Sequence, residues 1–81
     1  MIYKFLTQEI DISSANNVGG NQVIRVINLG ASNNIMLVQY ANGTTYASGS
    51  VLGKSEIVVI KNPTDLLVGT GMYASAVAYK N

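Results

Sequence analysis

Residues 34–51, NIMLVQYANGTTYASGSV, carry the clearest indication of fold in the chain. The apolar segment 34–40 is typical of a strand, and Asn42-Gly43 after it accepts the positive φ angles of a tight type I′ hairpin turn. Segment 44–51 is therefore expected to return antiparallel, and its small residues predict either an edge strand or a close approach of another backbone. The stretch as a whole predicts a β-hairpin.

Further candidate strands flank this hairpin, because short apolar runs alternate with turn residues and no helical period persists. In residues 22–29, QVIRVINL, both faces are largely apolar, which predicts a central strand that could be covered on both sides. We therefore predict one all-β domain over residues 1–81. Its expected form is a small antiparallel β-sandwich or barrel of about six to seven strands.

The only proline of the chain is expected to end one strand, since it cannot continue a central ladder. Asn62 is a good helix N-cap, Pro63 suits the first helical position, and Asp65 is favoured in a first turn. These residues predict one short helical turn near 63–68. Asp65 could instead be a catalytic or metal carboxylate, but the capping role already accounts for it.

The composition points to a surface that is covered by other subunits. Charged residues make up 11% of the chain, against about a quarter in ordinary soluble domains. Charge is depleted at the centres of protein interfaces, so we expect an assembled protein. The alternative is a weakly charged monomer whose surface is rich in Asn and Thr.

Several kinds of chemistry have no support in the sequence. The chain contains no Cys and no His, which removes disulfides, thiolate metal sites and the usual general base near neutral pH. Its glycine pairs lack the Lys-Ser/Thr of a phosphate loop, and its basic residues do not cluster. The apolar runs are too short to span a membrane, and residues 1–9 do not resemble a signal peptide. We therefore expect a protein that is not an enzyme, has no cofactor or metal, binds neither nucleic acid nor membrane, and is not exported by a signal peptide.

Two polar features of the predicted strands invite specific hypotheses. Arg25 lies within an apolar strand, where it is expected to pair with Glu56 or Asp65. The tyrosines could form a sugar-binding platform, although aromatic residues are also common interface anchors and strand residues. These are Tyr3, Tyr40, Tyr46, Tyr73 and Tyr79.

The segment 56–67, EIVVIKNPTDLL, together with AVAYK at 76–80, resembles small virion proteins of tailed bacteriophages, in particular cyanobacterial phages. RVINLGAS at 25–32 also fits. The resemblance covers most of the chain from residue 22, and its motifs are short and structural. It implies a β-sandwich virion part and supplies no catalytic residue. The matching positions are Glu56, Val58, Val59, Ile60, Lys61, Pro63, Thr64, Asp65, Leu67, Ala76, Val77, Ala78, Tyr79 and Lys80, with Val26, Asn28 and Ala31.

The resemblance by itself does not distinguish the head from the neck or the tail. Together with the low charge, the lack of catalytic groups and the compact β fold, it leads us to expect a capsid decoration or cement protein that bridges capsid subunits in the virion, which is assembled in the host cytoplasm. Its expected partners are the major capsid protein or other virion proteins, and it is expected to be a homo-oligomer, by analogy a trimer. A ring component of the neck, tail or fibre is the first alternative. A carbohydrate-binding module that uses the tyrosines is the second. The interface residues we expect are Leu66, Leu67, Met72 and Tyr73.

Overall fold

The computed structural model describes residues 2–80, with side chains described for residues 4–78. Strands account for most of this part of the chain, and one 3₁₀ turn lies at Val18–Gly20. The strands are β1 (Ile2–Phe5), β2 (Ile10–Asp11), β3 (Val23–Asn28), β4 (Asn34–Gln39), β5 (Thr45–Val51), β6 (Ser55–Ile60), β7 (Leu66–Val68) and β8 (Met72–Lys80).

The strands form two antiparallel sheets. In the larger, five-stranded sheet, β1 and β2 pair with one side of β8, β3 pairs with its other side, and β6 lies beyond β3. The smaller, three-stranded sheet has the order β5-β4-β7. The two sheets remain separate and enclose a common core. This confirms the predicted all-β fold with β3 as a central strand, and of the two predicted forms, sandwich or barrel, the chain adopts the sandwich.

The aromatic and β-branched stretch IYKFLTQEI at 2–10, which the sequence predicts as one strand, is divided between β1 and β2, and this is one reason why there are eight strands and not six or seven. Between β1 and β2 the chain leaves the ladder, and the Thr7 hydroxyl accepts a hydrogen bond from the N–H of Ala76 at 2.9 Å. The N–H of Leu6 donates to the carbonyl oxygen of Ala76 at 2.8 Å. A side chain thus replaces the backbone acceptor where β8 would otherwise have an unpaired group.

The core lies between the two sheets and follows the alternation of the strands. On β3 the inward side chains are Ile24 and Val26, and the smaller sheet contributes Leu67. Their packing supplies the main favourable term of folding. The buried cluster consists of Ile12, Val18, Ile24, Val26, Met36, Val51, Leu67, Met72, Ala74 and Ala76.

The helical turn predicted near 63–68 is wrong. Asn62 is not an N-cap: its carbonyl oxygen accepts from the N–H of Asp65 at 3.0 Å, which makes a tight turn with Pro63 at its second position. The apolar triplet that follows is β7, which pairs with β4 and buries Leu67. Pairing with a neighbouring strand satisfies its backbone and the core takes its side chain, so tertiary contacts override the local helix signals.

The predicted hairpin is present between β4 and β5, and β5 is an edge strand as expected. Its turn differs from the expected type, because the positive φ angle of 88° lies at Gly43. The N–H of Gly43 donates to the carbonyl of Tyr40 at 2.8 Å, and the N–H of Tyr40 donates to Thr44 at 2.9 Å. These bonds define a three-residue loop in place of the two-residue type I′ turn.

Candidate functional site

The larger sheet has one side against the core and one side turned away from it. Directly paired residues of neighbouring strands share a side, and the registers pair Arg25 with Ser75 and with Val58. Since Ile24 and Val26 point into the core, these three point away from it. We call this side the outer face; it comprises Phe5, Asp11, Val23, Arg25, Ile27, Glu56, Val58, Ile60, Tyr73, Ser75 and Val77.

The outer face is mostly apolar, and no described strand of the chain forms a layer over it, although Ser75 and Val77 within it are buried. Phe5 is 60% exposed and Ile60 is 79% exposed, while Val58 is half-buried. An antiparallel sheet with one solvated side ordinarily carries polar residues there. The outer face instead has the composition of a covered sheet, as the two apolar faces of QVIRVINL indicated. Such a patch is typical of an interaction surface.

The positive charge of Arg25 on the outer face is paired with carboxylates of the same chain. Its guanidinium pairs with Glu56 through Nε and lies 3.5 Å from the carboxylate of Glu9. It also lies 5.7 Å from the centre of the Phe5 ring, within the range of a cation–π contact. Of the two predicted partners, the structure selects Glu56. The positive charge is therefore matched before any partner binds, which lowers the cost of covering this surface.

A second polar cluster lies at the opposite sheet, around the turn that precedes β7. Tyr46 donates its hydroxyl hydrogen bond to the buried carboxylate of Asp65. This bond raises the pKa of Tyr46, because ionisation would place a second negative charge beside the carboxylate. The ring of Tyr40 stacks on that of Tyr46, with 4.3 Å between their centres. Asp65 therefore anchors the β4–β5 hairpin to the turn and does not serve as a helix-dipole residue.

Lys61 is buried beside the same turn, and its ammonium group is held by backbone carbonyls. Nζ donates to the carbonyl oxygens of Asn21 at 2.7 Å, Asn62 at 3.2 Å and Pro63 at 3.3 Å. Burial lowers the pKa of Lys61, and the nearby Asp65 carboxylate partly opposes this shift. All three ammonium protons are used, so the arrangement fastens β6 to two loops and leaves no free donor for a ligand.

The structure separates the four residues that the sequence predicted as an interface. Leu67 and Met72 are fully buried in the core, so no partner can reach them. Leu66 is half-buried on the side of the smaller sheet that faces away from the core, and Tyr73 lies on the outer face of the larger sheet. The alternation of β7 and β8 explains the split, since each strand turns one of its predicted residues inward.

The predicted tyrosine platform is brought together only in part. Tyr40 and Tyr46 form the stacked pair on the β4–β5 hairpin, whereas Tyr73 lies on the outer face of the other sheet. The side chains of Tyr3 and Tyr79 fall outside the described residues. A platform of five rings is therefore not assembled by the residues that can be placed.

Among the described side chains, no group of three or more His, Cys, Asp or Glu residues is close enough to hold a metal ion. No helix in the described part of the chain is long and apolar enough to cross a membrane.

No protein-family model matches the chain, and no curated protein or solved structure is significantly similar to it.

Proposed function

We propose that this protein is a non-enzymatic structural protein of a bacteriophage virion, a capsid decoration or cement protein that stabilises the head by bridging capsid subunits. The observation that supports the adhesive role is the outer face, on which Phe5 and Ile60 are exposed and the charge of Arg25 is neutralised by Glu56 of the same chain. The low charge of the chain supports the same reading. The virion itself is proposed from the sequence resemblance.

The size of the molecule fits a surface-binding role. The chain measures 33 × 29 × 19 Å. An elliptical outline of 33 × 29 Å has an area of about 750 Å², close to the ~800 Å² that each partner buries in a standard interface. Each copy needs only modest affinity, because a homo-oligomer on a symmetric lattice engages several sites at once. Adhesion of this kind requires no catalytic group.

Cryo-electron microscopy of the intact particle tests this proposal. Density for the chain at a regular symmetry position of the head lattice, with the outer face against the capsid, is the expected result. Density in a single ring at the neck, tail or fibre would assign the alternative location instead. Purified virions that lack the protein as a stoichiometric component would overturn the virion proposal altogether.

A matched pair of variants tests which face binds. Phe5→Ser changes the outer face, and Ile35→Ser changes the opposite sheet at a residue with nearly the same exposure, 61% against 60%. Added to particles that lack the protein, the Phe5 variant should occupy fewer sites than wild type, and the Ile35 variant should bind normally. Equal occupancy by both variants would rule out the outer face as the adhesive surface.

A carbohydrate-binding role is the second candidate, and the stacked pair of Tyr40 and Tyr46 is the observation that favours it. The two residues are 50% and 43% exposed, and exposed aromatic rings suit packing against sugar rings. Titration calorimetry with host polysaccharide would test it. Binding that is lost in Tyr40→Ala would support this role, and binding that survives the change would exclude this pair.

A further inference from the structure

β6 is an open edge of the larger sheet. Within residues 2–80 it pairs with β3 alone, through all six of its residues. It reads SEIVVI, a run rich in β-branched residues with Glu56 as its one charge. Ile60 at its end is the most exposed large apolar side chain described. A strand of this kind is a ready template for another strand.

The hydrogen bonds show which backbone groups of β6 are unpaired. The N–H of Lys61 donates to the carbonyl oxygen of Gln22 at 2.8 Å, in the same register as the β3–β6 ladder. In an antiparallel pair, alternate residues point toward the partner strand. The residues in phase with Lys61 therefore bond to β3, and the others turn both N–H and C=O to the open side. The open groups belong to Glu56, Val58 and Ile60.

The other described sheet edges carry features that discourage pairing. Residues 6–9 interrupt the edge formed by β1 and β2. β5 includes a register shift opposite Val38 and Gln39, and a glycine. β7 has three residues and is bridged by Asn16. Bulges, interruptions and short lengths are the usual protections of an edge strand. β6 has no proline, glycine, lysine or register shift.

We propose that β6 is a homodimerisation edge that pairs antiparallel with β6 of a second copy across a two-fold axis at Val58. This register places Glu56 opposite Ile60 of the second copy, Val58 opposite Val58, and Ile60 opposite Glu56. In each of these pairs, the N–H and C=O groups on the open side of both strands face each other, so the two residues can form two backbone hydrogen bonds. The two larger sheets become one continuous sheet.

The sequence of β6 favours this register over its neighbours. If one strand is shifted by two residues in either direction, fewer residues with open backbone groups face each other. A shift that places the two-fold axis at Glu56 brings two carboxylates directly opposite one another. In the proposed register no like charges face each other. Edge pairing buries less surface than a standard interface, so we expect a dissociation constant on the order of 1–100 μM.

This dimer is independent of the virion proposal. A two-fold edge contact is isologous and closes at two copies, whereas the trimer expected from the resemblance would need a different, head-to-tail contact. If the protein does not dimerise through β6, the proposal that the outer face binds the capsid is not affected. A dimer in solution would equally stand if the protein were absent from virions.

Amide hydrogen exchange by NMR at low and high protein concentration tests the register in the unmodified protein. The amides of Ile57 and Val59 bond to β3, so their protection should not change with concentration. The amides of Glu56, Val58 and Ile60 should exchange rapidly in dilute solution and become protected as the dimer forms. Protection that never appears at these three positions, or a chain that remains monomeric or forms trimers, would overturn the proposal.

Two substitutions at Ile60 provide an independent test, because its exposure makes both Ile60→Lys and Ile60→Glu harmless to the fold. In the proposed dimer, residue 60 faces Glu56 of the other copy at two symmetric positions. A Lys at this position should attract the Glu56 carboxylate of the other copy, and a Glu should repel it. At low salt the Ile60→Lys variant should therefore dimerise about tenfold more tightly than the Ile60→Glu variant. Sedimentation equilibrium measures both. Equal weakening of the two variants would refute this register.

Discussion

Asn28 is the buried polar residue for which the structure gives the most specific prediction of the stability lost on substitution. It is fully buried at the end of β3. Its Nδ2 donates to the carbonyl oxygens of Ser32 and Val51, each at 3.0 Å, and its Oδ1 accepts from the N–H of Gly30 at 3.0 Å. The side chain therefore fastens the turn after β3 and the end of β5 to the larger sheet. Its bond to Val51 links the larger sheet to β5 of the smaller sheet.

Replacing Asn28 by Ala removes all three hydrogen bonds. At about 1 kcal/mol net for each bond, the expected loss is ~3 kcal/mol. A chain of 81 residues has a total stability of about 4–12 kcal/mol, so the loss is a large share of it. Thermal unfolding followed by circular dichroism should show a Tm lower by about 12–24 °C. A decrease in unfolding free energy below about 0.5 kcal/mol would refute the structural role of this side chain.

Asn28→Asp separates the donor role from the acceptor role. The carboxylate can still accept from Gly30, but its second oxygen would face the carbonyl oxygens of Ser32 and Val51. Burial and this repulsion should raise the pKa of the new carboxyl above its ordinary value. The folded state then gains stability as the group takes up a proton, so the deficit should be greatest near neutral pH and shrink as the pH falls. Asp should be less stable than Ala near pH 7, and a variant as stable as wild type would contradict the assignment of the amide as a double donor.

Three further changes follow from the same contacts. Thr7→Val removes the hydroxyl that accepts from a buried β8 amide, so urea unfolding should show a loss of about 1–3 kcal/mol, which Thr7→Ser should largely avoid. Tyr46→Phe removes the hydrogen bond to Asp65. Because this bond raises the pKa of Tyr46, it stabilises the fold fully at pH values below the ordinary tyrosine pKa. The stabilisation is lost as the pH rises through the raised pKa of the folded protein. The stability difference between wild type and this variant should therefore narrow at alkaline pH. Gly53→Ala would drive a Cβ into the backbone of the turn after β3 and should cost about 1–3 kcal/mol, whereas Gly49→Ala, which has open space, should cost much less.

The parts of the fold that depend on neighbouring residues were predictable from sequence. The β4–β5 hairpin follows from an apolar run and Asn42-Gly43, and the central position of β3 follows from its two apolar faces. The same feature of β3 indicated the outer face. These signals are local, or they alternate along a single strand.

The parts that depend on long-range pairing were not predictable in this way. Residues 66–68 carry local helix signals, yet they form β7 because β4 offers an edge and the core has room for Leu67. The phase of β7 and β8 decides that Leu67 and Met72 point inward, and a one-residue change of register would have exposed them. The salt bridge from Arg25 to Glu9 also needs the observed register of β8 between β2 and β3. No pattern within one segment contains this information.

The outer face and the β6 edge are parts of one surface, and this has a consequence for adhesion. Val58 and Ile60 contribute side chains to the outer face and unpaired backbone groups to the edge. Pairing two copies through β6 would therefore align their outer faces side by side, on one continuous sheet, with the same orientation toward a target. A target that presents repeated sites would then be bound bivalently, and the second contact would form at high effective concentration. Weak binding by each outer face is thus compatible with firm attachment of the dimer, and loss of dimerisation should reduce attachment far more than it reduces the affinity of a single face.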